Sequence, residues 1–326
     1  MVTKTSLQIT FAHVRFQEEI TTSLPLENEV KNKVAFSSFP SYPSSNWPFL
    51  RGYEGLKIFS SGERICVSYF FNGGEKDRFG RPILSARVMI IPRDEFDRCC
   101  RDVIAVMNLL KNLETINAAS SLYVSFLERS ALTSNFEAFS NFLQNQEPKF
   151  IAKSLSLMIA NKRVNIFYEN IKDAYSWIRA IYLFMPIDVI TKTSFVTDCE
   201  RLNQVDRENY VMVPRERRVD SHLLAKILKR KLARVANINL EKRSARGKSY
   251  ELIEHVILET INDEMWYGIE WYERYRILLE LLNKVVTGER PSMTQISEKI
   301  RHMSKTIEKT KFLEGLAMKK KRWSLR

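Results

Sequence analysis

Between Ser221 and Leu240 the chain carries Lys226, Lys229, Arg230 and Arg234 and no acidic residue. At ~100° per residue, a helix over this stretch puts those cations on one side. Leu224, Ile227, Leu228, Leu232 and Val235 then fall on the other. A cationic face without interleaved Glu repels itself, because opposite charges at i,i+4 are what normally steady an exposed helix. An anionic partner relieves that repulsion, and contacts to phosphates release condensed counterions, which drives non-specific nucleic-acid binding. The competing reading is an ordinary solvated helix face. Lys242, Arg243, Arg246 and Lys248 carry the charge on into a loop, and Lys319, Lys320, Lys321 and Arg322 form a basic tail. Membrane adsorption fits less well, since the apolar side has no Trp or Phe.

Other chemistry-bearing residues are sparse. Asp77, Arg78 and Arg81 sit in a Gly-containing loop that could hold an anion, although an ordinary charged turn accounts for them better. Glu259 and Asp263 stand at i,i+4 with no His at a matching step, so no metal site is expected. Trp266, Tyr267, Trp271, Tyr272 and Tyr275 are interleaved with acids, which favours a buried helix junction or a protein interface over stacked bases. His13, His222, His255 and His302 are scattered, and Cys66 falls inside an expected strand. There is no phosphate-loop signature, no G-x-S-x-G elbow and no H-E-x-x-H pair. No cofactor is expected. An enzyme would need a site assembled from distant segments, which leaves no linear trace.

The charge is unevenly placed. Of the net +13 over 326 residues, +9 lies in Arg215–Lys248. Residues 1–214 hold 25 basic and 23 acidic side chains, against 26 and 15 in residues 215–326. A basic balance of this kind favours an anionic partner and says nothing of fold. Cys66, Cys99, Cys100 and Cys199 form no C-x-x-C pair and no disulfide framework, which points to a reducing compartment. The start, MVTKTSLQITF, lacks the apolar core of a signal peptide, and no run reaches membrane-spanning length. A cytoplasmic protein is expected.

The elements that must position these residues follow from periodicity. Residues 7–16 alternate as a strand. Residues 64–91 read as strand, Gly-rich turn and strand, a hairpin. Asp94 is placed to cap a helix reaching Leu113, and further helices are expected at 134–144, 148–160 and Asp173–Met185. VNIFY, TSFVT and NYVMV read as strands at 164–168, 193–197 and 209–213. From Val219 onward the pattern reads as helix: 220–236, 249–266, 269–286 and 292–312. The stretch 292–316 fits either one helix or a helix-turn-helix.

Two stretches carry a resemblance, SYFFNGGEKDRFGRPILSARVMIIPRDEF at 68–96 and IYLFMPIDVITKTSFVT at 181–197. Asp77, Gly80 and Arg81 make a D-x-x-G-R turn, and Pro186, Ser194, Phe195 and Thr197 make the later helix, Pro and S-F-x-T strand. They resemble the N-terminal region of GTPase-associated proteins of prokaryotic conflict-type systems, except that Ser85-Ala86-Arg87 replaces that family's usual His after the turn. The resemblance implies an accessory or scaffold role beside a nucleotide-hydrolysing partner protein, and no catalytic residue.

The expected fold class is therefore an α+β (mixed α/β) domain over 1–214, with its hairpin at 64–91, followed by an all-α basic domain over 215–326. The expected function is a non-enzymatic binding protein whose basic C-terminal helices contact nucleic acid, DNA or RNA. The first alternative is an adaptor on an acidic protein surface. The second is an enzyme with a dispersed site in residues 1–214. No membrane partner is expected.

Overall fold

Two long apolar runs, buried on both faces, draw Arg64–Lys76 (β4) and Pro82–Pro92 (β5) into an antiparallel pair. The register runs from Arg64 opposite Pro92 to Asn72 opposite Leu84, with a bulge between Asn72 and Lys76 that absorbs the glycines. This hairpin belongs to a ten-stranded sheet in a computed structural model of the chain. The structure describes residues 9–16, 20–40, 53–80, 82–97, 101–113, 148–197, 209–214, 236–261, 279–284, 286–287 and 298.

The other strands are β1 (Thr10–Arg15), β2 (Ile20–Thr22), β3 (Glu54–Ser61), β6 (Val164–Tyr168), β7 (Phe195–Val196), β8 (Tyr210–Pro214), β9 (Ala236–Asn239) and β10 (Ser244–Arg246). Their order across the sheet is β10-β9-β6-β8-β7-β3-β4-β5-β1-β2. The run β9-β6-β8-β7 is parallel, and every other pairing is antiparallel.

Helix α1 (Asn28–Ser37) lies against one face of the sheet. Its Val30 and Val34 join Phe39, Phe59, Cys66, Phe70, Ala86, Val88, Val196 and Val211 in one buried cluster. The opposite face receives α3 (Val103–Lys111), α4 (Pro148–Ala160) and α5 (Ile171–Phe184). There Arg87 of β5 donates to the carbonyls of Leu110 and Lys111, Tyr182 packs edge-on against Phe195, and the Tyr210 hydroxyl donates to Met158 O at 2.7 Å. Two short helices, α2 (Arg93–Glu95) and α6 (Ile187–Ile190), serve as connectors.

The expectation of an all-α basic domain from residue 215 is corrected here. β9 and β10 fall inside that stretch and complete the sheet, and no all-α C-terminal domain is seen among the described residues. The physical reason is burial. Ala236 and Ile238 are 3% and 0% exposed, set in parallel register beside Val164 and Ile166 of β6, whose backbone they pair. A four-residue strand is too short to show its own alternation, so the helical stripe ending at Val235 masked it.

The chain divides into two compact units, Met1–Ser249 and Tyr250–Arg326. The first holds the whole sheet. In the second, α7 (Glu251–Ile261) buries Ile253 and Ile257 at the four-residue step of a helix, and Leu279, Leu281 and Leu282 are buried as well. Among the described residues no helix is long and apolar enough to cross a membrane.

Candidate anion-binding sites

Four of the basic residues singled out by sequence lie on the β9–β10 hairpin and just beyond it. Its turn is built locally. Asn239 Oδ1 accepts from Lys242 N at 2.9 Å, Leu240 N donates to Phe167 O at 2.9 Å, and Arg243 takes φ 43° to close the loop. Asn suits the first position because its side chain imitates a backbone turn. The result exposes Lys242, Arg243, Arg246 and Lys248 on the outermost strand and its flanks, with Glu241 the one acid among them. Asn161 Nδ2 donates to Lys248 O at 2.6 Å and Lys153 Nζ to Ser249 Oγ at 2.6 Å, which ties the strand's exit to α4. Charge on an edge strand discourages pairing with another chain, and it can equally seat an anion. Lys226, Lys229, Arg230, Arg234, Lys319, Lys320, Lys321 and Arg322 lie outside the described residues, as do nearly all of 292–316.

The residues behind the family resemblance hold backbone. Asp77 Oδ1 accepts from Phe79 N at 2.8 Å, and Gly80, at φ +78°, donates its N–H to Asp77 O. Pro186 precedes α6. Thr197 Oγ1 accepts from Leu56 N at 2.8 Å, and Phe195 is fully buried. Arg78 stacks its guanidinium over the exposed Phe79 ring at 4.7 Å. Arg81 lies outside the described residues.

Cys66 is fully buried in the α1-side core, and burial pushes its thiol up to about 12, which leaves it protonated and inert. His13 lies on β1 opposite Thr21 and Arg87, and His255 on α7 is half-buried. Among the described residues no three His, Cys, Asp or Glu side chains gather in a way that could hold a metal ion.

A second basic site escaped the sequence reading. Lys33 on α1, Lys57 on β3 and Lys192 just after α6 line one cavity of about 500 Å³. Ser37, Ser60, Thr193, Ser194 and Asn209 add polar wall, Phe16, Phe39 and Phe59 add apolar wall, and Phe36 stands at the site 84% exposed. No described lining residue is acidic. Lys57 is 5% exposed and its Nζ donates to Phe39 O at 2.7 Å, while the neighbouring Ser68 Oγ donates to Ser38 O at 2.8 Å. These two bonds fasten the chain where α1 ends, a place where a cation also meets the negative end of the helix dipole. Lys33 and Lys192 are exposed. Ser60 donates to Thr191 O and Thr193 to Val189 O, so those hydroxyl protons are already committed. The one linear signal was Lys57 itself, a charge set within the apolar alternation of EGLKIFSS.

No protein-family model matches the chain, and no curated protein matches it.

Proposed function

We propose that the protein is a non-enzymatic binding protein that engages the phosphate backbone of nucleic acid through its basic C-terminal third. One observation carries this reading. Lys242, Arg243, Arg246 and Lys248 stand exposed on and beside the last strand of the described sheet, directly after the acid-free cationic stretch Ser221–Leu240. Backbone contact of this kind needs no base readout, only cations spaced along a surface. The test is a salt titration of DNA and RNA binding. Affinity falls steeply with salt, and the slope becomes shallower by about 2 in Lys242→Glu/Arg246→Glu, one per lost phosphate contact. Absence of binding at low salt sinks the reading.

The resemblance of residues 68–96 and 181–197 favours a second reading, an adaptor beside a nucleotide-hydrolysing partner. Its matching residues Asp77, Gly80 and Thr197 each hydrogen-bond the backbone, a structural use that suits a scaffold. Under that reading the same basic surface meets an acidic protein face. Polyglutamate then competes with the partner, and nucleic acid does not bind.

A further inference from the structure

We propose that the tip of the β4–β5 hairpin stacks a base of single-stranded nucleic acid on Phe79. The inference rests on the nucleic-acid reading above and names the form of nucleic acid it favours. β4 and β5 outrun their neighbours in the sheet. Asn72 donates its N–H to Tyr53 O at 2.8 Å, and Leu84 O accepts from Phe16 N at 2.9 Å. Past those two residues the strands pair only with each other among the described residues. Residues 73–76 and 78–80 of this arm are exposed. Arg15 meets Glu75 at 3.0 Å and braces the arm against β1.

The turn at the end of the arm holds one ring outward. Gly80, at φ +78°, lets the chain reverse, and its N–H donates to Asp77 O at 2.9 Å. Asp77 Oδ1 accepts from Phe79 N at 2.8 Å. The backbone is thus fixed at Phe79 and after it, yet the residue is 66% exposed. Arg78 stacks its guanidinium 4.7 Å from the ring centroid. Turn and stack together restrict the ring, so a base that joins them orders little further side chain. Every base has a π-face, which makes such a contact tolerant of sequence. It needs an unpaired base, because a base inside a duplex is already stacked on both faces.

Strand direction relates this tip to the cationic hairpin. β4 and β7 both run antiparallel to β3, and β7, β8, β6 and β9 are parallel to one another. The C-terminal ends of β4 and β9 therefore lie at the same end of the sheet. The β4–β5 tip stands at that end, as does the β9–β10 turn with Lys242 and Arg243. A single strand held by its phosphates at the second turn can offer a base to the first.

Fluorescence anisotropy of the full chain at low salt tests this. The probes are a labelled oligo(dT) of about 20 nucleotides and an abasic strand of the same length. Oligo(dT) binds at least about tenfold more tightly than the abasic strand. Phe79→Ala weakens oligo(dT) by about tenfold, leaves the abasic strand unchanged and keeps the salt slope, since no phosphate contact is lost. Phe79→Trp retains oligo(dT) binding, because its ring still stacks. Both changes fall on an exposed turn and melt like wild type. The proposal is overturned if Phe79→Ala binds oligo(dT) like wild type, if it weakens the abasic strand equally, or if Phe79→Trp binds oligo(dT) no better than Phe79→Ala. In those cases the nucleic-acid reading still stands provided Lys242→Glu/Arg246→Glu weakens both strands alike. If neither strand binds at low salt, that reading falls and this inference with it.

Discussion

Arg101 is a fully buried side chain in a region that reads, by periodicity, as one helix from Asp94 to Leu113. Its guanidinium donates to Tyr182 O, Leu183 O and Met185 O, the open carbonyl end of α5, and to Asp97 Oδ1 at 2.7 Å from Nε. Asp102 beside it caps α3 by accepting from Ala105 N and pairs with Arg179 at 2.9 Å. The helix therefore begins at Val103, and tertiary demand at one carbonyl end overrides local periodicity. Arg101→Met removes the fork and leaves those carbonyls buried. Urea denaturation should show a loss of about 3 kcal/mol, and Arg101→Lys should not restore it, because one ammonium cannot span the same acceptors.

Glu54, at the same scale, predicts a pH effect. Partial burial works to raise its carboxyl, but hydrogen bonds from Lys111 Nζ at 2.6 Å and the Tyr69 hydroxyl outweigh that and hold it below its ordinary value. A lowered folded-state value means the stabilisation exists above the unfolded-state value and fades as pH falls through the folded one. Glu54→Gln should therefore melt below wild type at neutral pH, and the gap should close on acidification past the ordinary carboxylate range. A gap that stays constant with pH would remove the ionic contribution from the account.

The two hairpins show, at the scale of elements, what a sequence displays and what it hides. β4–β5 was legible because two long apolar runs flank a glycine-rich turn. β9–β10 was not, because ANIN and SAR are short and half polar, and their place is set by β6 from across the sheet. The lysine cavity was hidden for a related reason. Lys33, Lys57 and Lys192 come from three separate elements, and the packing of α1 on the sheet together with the pairing of β3 with β7 brings them to one cavity. The second hairpin ends at Gly247, with φ +145°, where an added Cβ would sit 2.7 Å from Ala236 Cβ and 2.8 Å from Leu157 Cδ2. Gly247→Ala meets both a forbidden backbone region and that crowding, and should cost about 1–3 kcal/mol in chemical denaturation. Arg243→Gly, at φ 43°, relieves strain and should be neutral or stabilising in the same measurement.

The sheet of the whole molecule is a single object up to Ser249, although charge and composition change near residue 215. Charge asymmetry carries no information on where a core ends. A fragment ending at residue 214 lacks β9, and so strips one neighbour from β6, the parallel strand whose five residues are all buried. That fragment should aggregate or lack a cooperative melt, whereas residues 1–249 should give one transition by circular dichroism.

β3 meets β7 through Lys57 opposite Val196 and Ile58 opposite Phe195, partners far apart in the chain. A ribosome adding ~5–20 residues per second needs on the order of ten seconds to travel from one to the other. β4 and β5 emerge in the meantime and zip onto one side of β3 at once, since their turn is local. The other side of β3 stays open for that interval, with Ile58 on it and the future lysine cavity unwalled. Synthesis of this chain thus contains a waiting period, and that open strand edge is where a nascent-chain chaperone has most to protect.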